Sequence, residues 1–409
     1  MKLRPIKRSR TGSGNRRGVL IAWSIWLVLF ACIIAGTLFS VIRVSALRSQ
    51  ARHCVECAAL AAGYQFLSDD MLRLNQESFE TDGRIARAEG AAVDIAADYC
   101  RATPLQPLTS DCVEMTWPDL QEQLSGLSCP VPENISVSMA KPGQSLTIPL
   151  FFQGLTTSPV SGLNVRCTVS LEHTPTGFRP GPRNNVPVLP FAILDQPQST
   201  VDSSASQDAQ STAGHWTKSI EFGQGTDEFT WNDERHVFVE GSDGLPEITV
   251  VLTSSVSMDV PDALVPLQFA AADQEGLDPA IWIHNGLSEQ DLESLGRSSL
   301  EFPAEFPVMP LSTEQLARTV AALRENIGDP FVVCLGSTLS GDTDSESDAD
   351  ASIRLIRPVA ARIVKVDDSQ KGAVRVMLQP CVISTSTALM TPGPQTPVNR
   401  YVYSVRILH

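Results

Sequence analysis

Between Gly18 and Ile42 the chain reads GVLIAWSIWLVLFACIIAGTLFSVI, 25 residues without a charge. As a helix rising about 1.5 Å per residue, the run is about 38 Å long, enough to cross a hydrocarbon core of about 30 Å with some tilt. A buried helix of a water-soluble domain rarely needs so long an uncharged stretch, so the sequence predicts a membrane span ending at Gly18 and Ile42. The run exceeds the roughly 7–15 apolar residues of a signal-peptide core, and no small-x-small cleavage site with a polar start follows it. Leu29-Phe30-Ala31-Cys32 is a poor lipoprotein box, because Phe30 is bulky and the chain stays apolar behind it. A retained anchor is expected.

Orientation follows from the flanks. Lys2, Arg4, Lys7, Arg8, Arg10, Arg16 and Arg17 precede the span with no acid among them, and Arg43, Arg48 and Arg52 follow it. Positive charge stays on the cytoplasmic side, so Lys7, Arg8, Arg10, Arg16 and Arg17 predict a cytoplasmic N-terminus. The expected location is the inner (cytoplasmic) membrane, single-pass, with the bulk of the chain extracytoplasmic. The first sixty residues hold ten of the 31 basic residues and one of the 46 acidic ones, leaving a net charge of −24 beyond them. Such an acidic exterior argues against a nucleic-acid partner.

Eight of the nine cysteines lie beyond the span: Cys54, Cys57, Cys100, Cys112, Cys129, Cys167, Cys334 and Cys381. In an exported region all eight are disulfide candidates, but eight cysteines allow 105 pairings and the sequence does not choose among them. Cys54-Val55-Glu56-Cys57 is a C-x-x-C in a helical pattern with no strand before it. Redox pairs need the attacking thiolate at a helix N-terminus, covalent haem needs a histidine where Ala58 stands, and zinc needs a second ligand pair at matching spacing. A structural role, in packing or a disulfide, is favoured over metal or redox chemistry.

Residues 43 to about 75 continue as a helix. Val44, Leu47, Ala51, Cys54, Ala58 and Ala61 recur at three and four spacing, beside a second row of Cys57, Leu60, Tyr64, Leu67, Met71 and Leu74. A second helix, Arg84 to Cys100, carries Ile85, Ala88, Ala92, Ile95, Ala96 and Tyr99 on one face, and Asp82-Gly83 suits the turn of a helical hairpin. The Ala-rich row permits close approach of a partner helix. Further on, a short helix is expected over 117–127 and alternating strands over 135–140, 145–152, 163–171, 188–194 and 247–258. A hairpin is expected in EFTWNDERHVFVEG, and helices over 287–297 and 311–328, the latter with Ser312 as N-cap and Gly328 at its end. FVVCLG and three long C-terminal patterns complete the strands. The fold class expected is α+β: a transmembrane helix continuing into an Ala-rich hairpin, then a mainly antiparallel β-rich region with a few helices. The divisions are a basic tail (1–17), the span (18–42), the hairpin (43–101) and a Pro/Cys-containing connector (102–134). After these come a β-rich domain (135–340), an acidic linker (341–351) and a C-terminal strand region (352–409).

Catalytic and cofactor motifs are weak throughout. Asp195-Gln196-Pro197-Gln198-Ser199 follows a strand as a D-x-S-x-S metal motif would, but Pro197 removes a hydroxyl ligand; Asp202-Ser203-Ser204-Ala205-Ser206 follows a polar loop instead. The acidic run Asp342 to Asp350 lacks the glycine and terminal glutamate of an EF-hand loop, and reads as a solvated linker. His173, His215, His236, His284 and His409 are scattered. No catalytic residue, metal site or cofactor is expected.

From Arg16-Arg17-Gly18 through the span to RSQARHCVECAALAAGYQFL, the chain resembles the N-terminal region of TadG/TadE-like proteins of the Flp (tight-adherence) pilus assembly system. The matching segment is Glu56-Cys57-Ala58-Ala59-Leu60-Ala61-Ala62-Gly63, where that family carries a D-A-A-A-L-A-G-A-like stretch, and the helix bearing Tyr99 is similar to the family's next segment. The resemblance covers residues 16 to 100. It implies a membrane-anchored, non-enzymatic envelope component acting in pilus assembly, secretion or adhesion, with pilus-assembly or pseudopilin proteins, or further copies of itself, as partners. Trp23 stands where prepilin-like members carry the processing glutamate, so prepilin peptidase cleavage is not expected. The alternatives are a membrane-tethered ligand-binding or sensory domain and, less favoured, a thiol–disulfide oxidoreductase using Cys54 and Cys57.

Overall fold

The apolar run does not end where its polar flank begins. It belongs to one uninterrupted helix, α1 (Asn15–Phe66), 52 residues long. The computed structural model describes residues 15–408, apart from 74–80, 102–104, 106, 118–130, 141–163, 196–212, 234, 255–261, 272–277, 339–351, 371 and 392–398. Among these residues α1 is the one helix long and apolar enough to cross a membrane. Its first half turns large apolar side chains outward on every side, with Trp23 70% and Trp26 73% exposed. Water does not favour that arrangement, whereas a hydrocarbon solvent does.

Beyond Arg43 the helix becomes a core element. Leu47, Ala51, Cys54, Val55, Ala58, Ala59, Ala62 and Phe66 are buried, at the three and four spacing of one helix face. The expected row containing Cys57, Leu60 and Tyr64 sits at the edge of that face, and Tyr64 is 51% exposed. The reason is size: the alanines make the closest seat, so the bulkier row rotates outward. The partner helix that the alanines admit is within the chain. α2 (Thr81–Arg101) packs against α1 through Ala88, Ala92 and Ala96. Arg84 is buried there with its guanidinium 5.3 Å from the Phe66 ring centre. Asp82 and Gly83, expected in the turn, lie in the first turn of α2.

The other side of α1 rests on a five-stranded sheet. Its strands are β1 (Val113–Thr116), β2 (Asn134–Ser138) and β3 (Arg166–Glu172), joined by two strands from the far end of the chain. Before those come β4 (Pro175–Phe178), β5 (Val188–Leu194), β6 (Phe229–Asn232), β7 (Val237–Glu240), β8 (Ile248–Thr253), β9 (Leu264–Pro266), β10 (Leu300–Glu301) and β11 (Ala304–Pro307). Three helices intervene: α3 (Pro279–Asn285), α4 (Glu289–Ser294) and α5 (Thr313–Glu325), with a capping box at Ser312 and Gln315 starting the last. β12 (Pro330–Thr338), β13 (Ser352–Gln370), β14 (Ala373–Pro380), β15 (Ile383–Ser384), β16 (Ala388–Met390) and β17 (Val402–Leu408) follow. The first sheet has the order β1-β2-β3-β17-β15.

A second, seven-stranded sheet runs β8-β14-β13-β12-β5-β9, with β11 also on β13. Only β12 with β5 is parallel in it; the other pairs are antiparallel. β5 is buried at every position, which explains its unbroken apolar sequence VLPFAIL. β4, for which no strand was expected, is the middle strand of a small sheet with β10 and β16. The expected hairpin is β6 with β7. The expected helix 117–127 and strand 145–152 fall outside the described residues, apart from Trp117.

The partition at 341–351 needs correcting. That run lies outside the described residues, but the strands on either side of it, β12 and β13, are neighbours in one sheet. β17 then returns to pair with β3. The C-terminal strands are therefore structural members of both sheets, because neither sheet closes without them, and they form no region of their own.

Gly63 fixes how near α1 lies to that first sheet. A Cβ there would stand 3.0 Å from Val405 Cγ1 and 3.4 Å from Leu171 Cδ2. Gly63→Leu is expected to push α1 off β3 and β17 and cost about 1–3 kcal/mol, the usual range for overpacking. Chemical denaturation of the detergent-solubilised chain measures it, with Gly90→Leu, a position with open space around it, as the control.

Candidate functional site

The end of α1 away from its apolar half is held by a short buried connection. After Phe66 the chain makes a 3₁₀ turn, Asp69–Leu72. Leu72 enters the core of the large sheet, while Phe66 belongs to the core of the hairpin. Asp69 accepts a hydrogen bond from the Val382 backbone N–H at 2.6 Å and pairs with the Arg362 guanidinium on β13. Arg362 in turn lies 5.1 Å over the Trp231 ring of the β6–β7 hairpin. Burial is the largest influence on Asp69 and pushes its carboxyl above the usual range, against the opposing pull of Arg362 and the Val382 N–H. Asp70, one residue on, points outward to Arg73 at 3.0 Å and Arg87 of α2 at 2.9 Å. One carboxylate thus ties α1 to the large sheet and its neighbour ties it to α2.

The thiols fall into two sets. Near the apolar half of α1, Cys54, Cys57 and Cys100 gather at the α1–α2 contact. Cys54 is buried beside Cys100, and the Cys57 sulfur lies 3.5 Å from the Tyr99 hydroxyl. Burial pushes the Cys54 thiol up to about 12, and Cys100 is raised by the same cause. That is the reverse of the depressed thiol that disulfide exchange enzymes use. The remaining thiols are dispersed. Cys112 precedes β1, Cys167 is buried on β3, Cys334 is buried on β12 with its thiol pushed up to about 12, and buried Cys381 follows β14. No disulfide joins any two of the eight described cysteines, Cys32 in the apolar run included, and Cys129 lies outside the described residues.

Sequence candidates for metal chemistry do not converge. Asp195 accepts hydrogen bonds from the Thr217 hydroxyl at 2.9 Å and backbone N–H at 3.2 Å, so it anchors the turn Thr217–Glu221. Residues 196–212, with the second D-x-S-x-S, lie outside the described residues. His215 contacts the Thr249 carbonyl, His236 packs beside Trp231, and His284 bonds Asn326. His173 is half-buried beside Tyr403, and burial lowers its pKa. Among the described residues no three His, Cys, Asp or Glu side chains are grouped as a metal site requires. Arg16, Arg17 and Gly18 lie in the first turns of α1, Ile42 is exposed at the far end of the apolar run, and Lys7, Arg8 and Arg10 lie outside the described residues.

A cleft of about 580 Å³ opens between the small sheet and the large one, within the size range of ligand sites. Thr174, Thr176, Ser337, Arg354, Arg357 and Asn399 supply its polar groups. It forms where β13 is left uncovered on one edge: β11 pairs with residues 352–355 and the β14 ladder takes up that edge only from Ala361. Pro358, in between, has no N–H to offer a strand, and its carbonyl accepts from the Asn399 side chain at 2.7 Å. Arg357 is engaged by Glu221 at 2.6 Å. Sequence reading passed over this cleft and the Asp69–Arg362 pair. A proline inside a long strand pattern was the one local signal for the former.

The chain matches no protein-family model, no curated protein and no solved structure.

Removing the Asp69 carboxylate leaves the Arg362 charge buried without its partner. Asp69→Ala is expected to cost on the order of 3 kcal/mol in chemical denaturation, against less than about 1 kcal/mol for Asp70→Ala, whose partners are solvent-screened.

Proposed function

We propose that this protein is a single-pass, non-enzymatic envelope component, anchored by the apolar half of α1 in the cytoplasmic membrane with its N-terminus inside. Its folded exterior serves protein–protein interaction, as in TadG-like pilus assembly or adhesion components. The observation that carries this reading is the continuity of α1: one helix is apolar and outward-facing as far as Ile42, and from Leu47 onward it is a core element of the folded domain. A flexible tether would let the domain tumble; a continuous helix holds it at a fixed height and attitude to the bilayer, which suits assembly into a larger structure. The basic residues before the span support the orientation.

The Ala-rich face is taken up by α2 and the first sheet, so partners would meet the outer rows of the hairpin. Tyr64 on α1, with Ile95 (36% exposed) and Tyr99 (44% exposed) on α2, presents apolar and aromatic surface there. Tyrosines and large aliphatic groups of this kind are common anchors in protein interfaces. A second reading, a tethered ligand-binding domain, is supported by the cleft around Arg354 and Asn399.

Two experiments test the proposal. A membrane-impermeant PEG-maleimide is expected to mass-shift Gln290→Cys, exposed on α4, in intact cells, and Ser9→Cys only after permeabilisation; the opposite pattern overturns the orientation. Two differently tagged copies, or a copy and its cross-linked envelope partners, are expected to co-purify at least about tenfold less well from Tyr64→Asp, a hot-spot-sized loss. Unchanged recovery sets this surface aside.

A further inference from the structure

The three membrane-proximal thiols are not equivalent. Cys54 faces inward among Ala51, Val55 and Ala58, beside the Cys100 thiol on α2. Cys57, one turn on, faces the Tyr99 hydroxyl at 3.5 Å. A bond between Cys54 and Cys57 is disfavoured, because residues three apart on an intact helix hold their Cβ atoms about 5–6 Å apart and a disulfide needs about 3.5–4.5 Å. The other described thiols offer no competing partner for one another. Cys167 on β3 aligns with Val137 on β2 and Val113 on β1, so Cys112 is two strands away, about 9–10 Å. Cys334 aligns with Pro358 of β13, and the Cys381 N–H reaches the Ala360 carbonyl from the opposite edge, again two strands distant. Both separations exceed the reach of a disulfide, about 7 Å between Cα atoms.

We propose that Cys54 and Cys100 are a disulfide pair, a covalent staple across the α1–α2 hairpin roughly 18 Å along the helix from Ile42. Cys100, partly exposed, is the sulfur that meets the oxidant, a disulfide of a protein or of a small thiol. Its thiolate attacks one sulfur of that disulfide, forming a mixed disulfide and releasing the first donor thiolate. The Cys54 thiolate then attacks the Cys100 sulfur, forming the Cys54–Cys100 bond and releasing the second. Two protein thiols lose two electrons and two protons, and the donor disulfide becomes two thiols. Raised thiol pKa values suit a bond that, once made, is not exchanged, rather than a catalytic one. Oxidation in the cell rests on the exported location proposed above; the choice of partner does not.

The test uses the full chain in two samples. In one, membranes are isolated after free thiols are trapped with N-ethylmaleimide in the cells. In the other, the detergent-purified chain is reduced and reoxidised with oxidised glutathione. Both are digested with trypsin without reduction, and then with a glutamate-specific protease that cuts at Glu56 and so separates Cys54 from Cys57. The expected result is a linked pair of peptides 53–73 and 88–101 after trypsin, trimmed to 53–56 and 90–101 by the second protease and so assigned to Cys54, persisting in Cys57→Ala and lost in Cys54→Ala. Linkage through Cys57 to either neighbour, or no linkage on reoxidation, overturns the proposal. Reoxidation that gives the Cys54–Cys100 pair while the cellular sample is alkylated at both residues upholds the pairing and overturns the exported location instead.

Discussion

The structure depends on one helix whose surface changes character part-way along its length. As far as Ile42, α1 exposes tryptophan, leucine and isoleucine in every direction; from Leu47 it buries a narrow stripe dominated by alanine. The change of side-chain size matters as much as the change of polarity. Alanine gives up little burial per residue, but it lets two backbones approach closely, so α2 and the sheet of β2, β3 and β17 contact α1 without long side chains to order. Gly63 extends the same logic to the sheet side, where even a methyl group meets Val405.

Such close packing leaves the hairpin with a modest core of its own, and its attachment to the large sheet carries corresponding weight. Asp69, Leu72 and Arg362 make that attachment, while β17, arriving from the far end of the chain, secures the hairpin's own sheet through its ladder with β3. The buried charge pair fixes geometry more than it adds net stability, because desolvation offsets most of its attraction. Arg362 also carries the β6–β7 hairpin through Trp231, so the same side chain positions elements from three parts of the sequence.

Features governed by local rules were legible in the sequence. The long apolar run, the α5 capping box at Ser312, the β6–β7 hairpin and the alternation in β3 and β8 all appear where residue chemistry and period place them. The register of the α1 face was not legible to a single row: period alone put Tyr64 with the buried set, and only the size matching with α2 turned it out. Short strands escaped for a related reason. β4, β9, β10, β11 and β16 have two to four residues each, too few to show a period; β9 and β11 rest on the edges of the longer β5 and β13, while β4, β10 and β16 pair with one another. The association of Cys54 with Cys100, the Asp69–Arg362 pair and the cleft at Pro358 are products of tertiary pairing, which no spacing in the chain encodes. The acidic run after β12 looked like a boundary because composition changes there, yet the strands it separates are adjacent.

The pairing of β3 with β17 also sets a timetable. Val169 and Ile407 are register partners, so the strand against which α1 rests receives its outer neighbour only when the last strand of the fold has been made. At synthesis rates of about 5–20 residues per second, the delay is on the order of 10–50 s. Through that interval the edge of β3 is an open template for any extended chain that passes, and one wall of the alanine seat is missing. Copies that meet while they mature would do so in this state, so the N-terminal hairpin is the part most in need of protection, although it is made well before the strand that completes its seat.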